Sequence, residues 1–313
     1  MKKNEKKVDG FVLLAVLWIT AILSVIALTY ASSARINATG ILNIQKQQKK
    51  FFTIESAIIL GYHEYQKYKA NKILLTKKED VEAITDQKVQ LWYPRFEPYN
   101  ATIGDHEFLI HVLSDSGKLN INKVKQDLIK KILKTCGAEE TIVNEISDSL
   151  LDWRDQDDLH HSDGGEKDYY MEEPGQYLAK NYELENIEEL LLLKGMDKTI
   201  YYGEDPLPGL KDFFSIRGSD AKLDVNTASP GVFQIVKNIS PEDIEQIVQA
   251  RMEKPIQKIS DLSDKVSVEA FNEFKTYFGV LTPKKIMILA VPKNTGNASL
   301  VNPTAGEFKI FAS

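Results

Sequence analysis

The chain has a single cysteine in 313 residues, Cys136. An internal disulfide and any multi-cysteine metal site are therefore excluded. Its apolar neighbours (IKKILKTCGA) mark it as a small buried hydrophobe. Basic residues are not in excess: 39 Lys and Arg stand against 45 Asp and Glu, a net charge of −6. A broad electrostatic grip on nucleic acid needs a basic face, so no nucleic-acid partner is expected. The chain contains no G-x-S-x-G, HExxH, P-loop or G-x-G-x-x-G, the motifs that carry the commonest hydrolytic and nucleotide chemistries. A glycosidase pair of carboxylates leaves no such mark and stays open. Long apolar runs are also scarce, for there is only one.

That run is Gly10 to Ala34, GFVLLAVLWITAILSVIALTYASSA, without a charge. As a helix it covers roughly 36 Å, enough to cross a hydrocarbon core of about 30 Å. Lys2, Lys3, Lys6 and Lys7 precede it, so the N-terminus is expected in the cytoplasm and the body outside. A cleaved secretory signal would have an apolar run of roughly 7–15 residues and a small-x-small site; a plain anchor needs only the run. A third reading rests on Gly10 followed at once by Phe11. A basic leader ending in Gly, then Phe, then a helix, resembles the class III signal of type IV pilins and pseudopilins. Those are cut after the Gly by prepilin peptidase and methylated on the new Phe amine. Most pilins carry Glu at the fifth mature position; here it is Ala15.

Beyond the run, Ile41, Ile44, Phe51, Ile54, Ile58, Tyr62 and Tyr65 recur at helical spacing and predict an amphipathic continuation needing a partner sheet. Gly40 is a point where that helix could loosen. Strands are expected at Val89 to Tyr93, Glu107 to Leu113, Ile286 to Val291 and Glu307 to Ala312. Between the second and third, the pattern is helical. Helices are expected before Gly137, over Glu139 to Trp153 and in NIEELLLLKGM, with Ser240 capping a helix that has Pro241 at its first position. GKLNIN…IKKIL…EETIVNEI is loosely echoed by AKLDVN…VFQIV…PEDIEQIV about a hundred residues on, a similarity that two related helical units or chance would equally produce.

Between helices lies the stretch richest in chemistry. Seven carboxylates fall within Asp152 to Asp168, and such a cluster repels itself unless something positive sits among it. Hard oxygens with Gly turns suit Ca²⁺. Asp155, Asp157 and Glu166 sit at positions 1, 3 and 12 of an EF-hand count, but Leu159 and His160 stand where that loop needs a ligand and a Gly. It is not an EF-hand; an irregular calcium loop and a solvated acidic loop both remain open. Adjacent His160 and His161 rarely face one metal, and zinc is not expected. The segment KLDVNTASPGVFQIV…SPEDIEQIVQAR resembles helix-hairpin-helix units, but its hairpin, Lys237 to Pro241, has no Gly to let phosphate approach the backbone.

Together, GFVLLAVLW, the D-W-x-D-x-D loop with Gly165-Glu166 and Tyr169-Tyr170, Asn181…Glu188-Glu189-Leu190…Lys194-Gly195-Met196 and Leu223-Asp224-Val225-Asn226-Thr227-Ala228 resemble the minor pseudopilin K (general secretion pathway protein K) family of type II secretion systems. The resemblance covers nearly the whole chain, and the missing Glu at Ala15 is typical of that member. It implies an α+β fold: a pilin-like long N-terminal helix on an antiparallel sheet, with a large inserted all-α domain containing helix-hairpin-helix-like units. The implied parts are a cleaved leader (1–10), a membrane and filament-core helix (11–34), an amphipathic helix with the first strands (35–122), an inserted α domain with the acidic loop (123–273) and C-terminal strands (274–313). It implies no enzyme but a tip subunit of the pseudopilus, anchored in the inner membrane with its body in the periplasm. Implied partners are the I and J minor pseudopilins, the major pseudopilin and prepilin peptidase. It also implies Ca²⁺, carried onto Asp155, Asp157, Glu166 and Asp168, with Asp152 and Asp163 as further members, and gives His160 and His161 no role. Two other readings stand beside it: a minor pilin of a type IV pilus-like filament, and an anchored extracytoplasmic hydrolase using the acidic loop.

Overall fold

In lipid a backbone must satisfy its own hydrogen bonds, and the uncharged run does so within one helix, α1, Val8–Leu75. The structure is a computed structural model and describes residues 8–75, 91–173, 175–283, 285–293 and 309–312. Hydroxyls in the run turn back on the helix: Thr20 donates to the Leu17 carbonyl at 2.9 Å and Ser24 to the Thr20 carbonyl at 2.8 Å. Phe11 and Leu13 are each 72 % exposed, and α1 is long and apolar enough to cross a membrane. The helix passes through Gly40 without a break.

Contacts divide the chain into Met1–Ser56 and Ala57–Ser313. The expected apolar stripe is only partly covered. Ile41, Ile44 and Phe51 are exposed, whereas Ile54, Ala57 and Ile58 are buried. Within the second unit α1 meets the sheet at Gly61. A Cβ there would stand 2.8 Å from Ile110 Cγ2 and 2.9 Å from Ile288 Cγ2, so the close approach of helix and sheet requires glycine.

The sheet is antiparallel, in the order β1 (Tyr99–Ile103), β2 (His106–Leu113), β3 (Ile286–Pro292), β4 (Lys309–Ala312). Ile110 faces Ala290 and Val112 faces Ile288. Glu307 and Phe308, expected in the last strand, lie outside the described residues, as does Val89. Leu91 and Tyr93 are irregular rather than a strand. Pro94 interrupts the ladder there, and the Tyr93 backbone is satisfied by one side chain, its N–H donating to the Tyr99 hydroxyl at 3.0 Å and its carbonyl accepting from it at 2.8 Å.

Adjacent strands β2 and β3 are separated in sequence by residues 114–285, which build a helical body around its own buried cluster, including Ile132, Leu150, Phe213, Phe233, Ile247 and Phe274. Its main helices are α2 (Gln126–Thr135), α3 (Glu140–Arg154), α4 (Lys167–Glu172), α5 (Pro241–Glu253) and α6 (Val268–Tyr277). Gly137, at φ 84°, follows the end of α2. Ser240 caps α5 as expected, accepting from Asp243 N–H at 3.0 Å. The expected NIEELLLLKGM helix is instead a 3₁₀ segment, Ile187–Leu192; four successive leucines give no one-sided stripe on which a longer helix could settle. Helix α4, not among the expected helices, begins inside the acidic stretch at Lys167.

The sequence echo is a structural repeat. Leu119-Asn120 pairs in parallel with Phe214-Ser215, and Leu223-Asp224 with Phe278-Gly279. Asn122 brackets the Leu184 backbone, donating to its carbonyl and accepting from its N–H, both at 2.9 Å. Asn226 does the same to Ile256, at 3.0 and 2.9 Å. Arg154 Nη1 donates to the Ile121 carbonyl, and Arg251 Nη1 to the Val225 carbonyl. The copies differ between arginine and bracket. The second copy has only Met252 to Pro255 there; the first has Asp155 to Glu183, the acidic stretch.

Candidate functional site: an acidic insert on the end of α3

Helix α3 carries Glu145, Asp148 and Asp152 at spacings of three and four, so they share one face, and Asp155 follows directly as its C-cap. Asp152 stands in its last turn and Asp155 caps it, at the negative end of the helix dipole, where carboxylates are disfavoured. Asp152 is fully buried and Asp148 and Glu166 nearly so. The insert folds over this face. Asp148 Oδ2 accepts from Asp163 N–H at 3.2 Å, and Asp152 Oδ1 accepts from His161 N–H at 3.0 Å and from the His161 ring. Gly164 lies against Asp152 so closely that a Cβ would be 1.9 Å from Oδ2.

One ligand atom each from Asp152, Asp155 and His161 lie within 4.8 Å of one another. Asp152 Oδ2, Asp155 Oδ1, both Glu166 carboxylate oxygens and Asn181 Oδ1 are buried without a hydrogen-bond partner. A buried oxygen without a partner is costly; five fall in the insert and its supporting helix, and a cation at the Asp152, Asp155 and His161 group would satisfy those within its reach. Electrostatics agree. Burial, then the charges of Asp152, Asp155, Asp158 and Asp157, push the Glu166 carboxyl up to about 7. Burial, then Asp157 and Asp152, raise Asp155. The hydrogen bond to Asp152 raises His161. The donor set is mostly hard oxygen, which fits Ca²⁺ better than a transition metal.

Of the sequence-expected residues, Asp152, Asp155 and Glu166 carry the partnerless oxygens. Asp157 is exposed and its Oδ1 accepts from Leu159 N–H at 2.9 Å. Asp163 and Asp168 are exposed; Asp163 reaches Asp148 through its backbone. Asn181, at φ 48°, was not foreseen as a site residue. It donates to the Asp157 carbonyl at 2.8 Å and to Asp158 Oδ1 at 3.1 Å, which leaves its own oxygen free. Asp148 and His161 were likewise not foreseen. The acids at 145, 148 and 152 are legible as one face of α3, with Asp155 just past its end; Asn181 leaves no local signal. The α1 residues Gly10 and Phe11, expected at the cleavage point, lie in the helix, with Phe11 exposed.

Residues 109–206, which contain this site, match the family described as type II secretion system (T2SS), protein K. Type II secretion system protein K of Pseudomonas aeruginosa is 32% identical over 196 residues, 59% of this chain and 56% of that protein. The protein of the same name from Klebsiella pneumoniae is 24% identical over 168 residues, 48% of this chain and 50% of that protein. The chain thus spans about half the length of the curated relatives it matches. In fold, a chain of the crystal structure of the GspK-GspI-GspJ complex from the enterotoxigenic Escherichia coli type 2 secretion system matches with a TM-score of 0.50. It is 14% identical and covers 86% of this chain and 91% of that one. The chain is thus similar to type II secretion system protein K, through the family match at residues 109–206 and through these relatives.

Proposed function

We propose that the chain is a minor pseudopilin at the tip of a type II secretion pseudopilus, where it primes assembly with other minor pseudopilins for export across the outer membrane. The observation that carries this is the protein K match over residues 109–206. The architecture supports it. A helical body inserted between neighbouring strands β2 and β3 is bulk that would hinder a further subunit from stacking above it. A chain with Ala15 in place of Glu offers no carboxylate to the amine of a neighbour's N-terminus, as suits a first subunit. In this reading prepilin peptidase cuts after Gly10, Phe11 is methylated, α1 is anchored in the inner membrane and the body is periplasmic. The partners are the I and J minor pseudopilins and the major pseudopilin, and the role is assembly rather than catalysis. The hydrolase and type IV pilus readings are not favoured, because the acidic loop itself lies inside the matched family domain.

The insert would hold Ca²⁺ through Asp152, Asp155 and Glu166, with Asn181 as a neutral oxygen and Asp157, Asp163 and Asp168 as outer members. The ion would supply positive charge that offsets carboxylate repulsion. Asp148 fixes the Asp163 amide, and Gly164 admits the Asp152 carboxylate. The test is coexpression of the full chain with the I and J minor pseudopilins of its own system, followed by purification on a tag carried by this chain. Recovery of all three in a fixed ratio is expected. Recovery of this chain alone, with I and J found together elsewhere, contradicts the reading.

A further inference from the structure

Lys194 follows the leucine-rich 3₁₀ segment and lies far from the acidic stretch in sequence, yet its ammonium reaches into it. Nζ donates to the Asp163 carbonyl at 3.1 Å and to the Gly164 carbonyl at 3.0 Å. It pairs with Glu145 Oε1 at 3.6 Å and sits 5.1 Å from the centre of the Tyr169 ring. Its own N–H faces the hydroxyl of Tyr170 at 3.3 Å, and Tyr170 is fully buried. The ammonium is thus held at a defined place between α3 and the start of α4.

We propose that Lys194 is the positioning residue of the calcium loop; this rests on the calcium reading above. The two carbonyls it holds belong to the turn that delivers Glu166. Gly164 is pressed on Asp152 from one side and its carbonyl is held by Lys194 from the other. The chain then has one residue, Gly165, before Glu166, whose two oxygens are buried and unpartnered. A Cβ on Gly165 would meet the Lys194 side chain at 3.3 Å, so the lysine stem also limits where that link can run. The spacing between the Asp152 and Glu166 carboxylates is therefore set by Lys194, which is not itself a ligand. A cation that bridges backbone carbonyls also places positive charge beside an acidic cluster without occupying its centre.

The test is calcium titration by calorimetry of the full chain in detergent, comparing wild type with Lys194→Gln and Lys194→Arg, alongside melting in chelator. Gln removes the charge and leaves a single neutral amide with two N–H donors on a shorter stem; Arg keeps charge and donors. The expected result is at least tenfold weaker calcium binding by Lys194→Gln, with a cooperative melt retained in chelator, and affinity near wild type for Lys194→Arg. Equal affinity of Lys194→Gln and wild type overturns the inference while leaving the calcium reading intact. If Lys194→Gln fails to fold, Gly165→Ala, whose Cβ would meet the Lys194 stem at 3.3 Å, decides: weaker calcium binding supports the inference and wild-type affinity overturns it. No calcium binding by wild type overturns both.

Discussion

Arg251 and Glu97, 154 residues apart, form a clamp between the second helical repeat and the segment that enters the sheet. Arg251 Nε donates to the two Glu97 oxygens at 3.2 and 3.0 Å, and the guanidinium is fully buried. Its Nη1 also donates to the Val225 and Ala228 carbonyls at 2.8 and 2.7 Å. Removing one partner leaves the other buried and unpaired, which costs roughly 3–5 kcal/mol. Arg251→Met should therefore lower stability by that order in denaturant unfolding, and adding Glu97→Gln should recover part of the loss. A single-variant loss below about 1 kcal/mol, the level of a surface pair, would contradict a buried clamp.

The two asparagine brackets give a matched pair of tests. Asn122 and Asn226 each exchange two hydrogen bonds with one backbone unit, at Leu184 and Ile256. Alanine at either should cost about 2 kcal/mol, from two bonds of about 1 kcal/mol each, and the two effects should add because the sites share no partner. Unfolding of both single variants and the double variant checks this. An Asn226→Ala effect with none for Asn122→Ala would break the equivalence of the repeats.

Calcium should act on the folded state. Binding only there, at about a hundred times the dissociation constant, adds roughly 2.7 kcal/mol. The melting temperature of the chain should rise when chelator is replaced by calcium, and Glu166→Gln should shrink the rise. An identical melting temperature with calcium and chelator would remove the metal from the account.

His111 gives a pH dependence apart from that loop. It lies buried in β2 with Nδ1 unpartnered. Burial lowers its pKa, offset in part by a hydrogen bond to the Phe96 backbone and by the charge of Glu97. The unfolded chain, near the usual value of about 6.5, then binds the proton more readily than the folded one. Stability from this group is present above about pH 6.5 and is lost as pH falls below it. Melting followed from neutral to mildly acid pH should show this slope, and His111→Leu should remove it. An unchanged slope in the variant would assign it elsewhere.

Periodicity made α1, α3, α5, β2 and β3 legible, since each buries one face, but it failed at Leu91 and Tyr93 and over Ile187–Leu192. It could not say where burial begins, so Ile41 and Ile44 read as part of a stripe that is covered only from Ile54. Asp152, Asp155 and Glu166 were visible as members of one carboxylate cluster, which by itself left a calcium loop and a solvated loop equally open. Asn181 and Lys194 were not legible as parts of the site, because their roles depend on the fold returning them to the loop from a distance. The LNIN and LDVN echo was visible as letters. Its meaning lies in the asparagine brackets, which exist only once Leu184 and Ile256 are in place. That comparison also places the acidic stretch as the extra length in one of two repeated units, Asp155 to Glu183 against Met252 to Pro255.

The central claim, that the chain is a pseudopilin, is tested most directly by intact mass and N-terminal sequencing of the protein extracted from its native membrane. The account predicts a chain beginning at Phe11 with a methylated amine. A chain still beginning at Met1 would contradict it and leave a plain membrane-anchored protein.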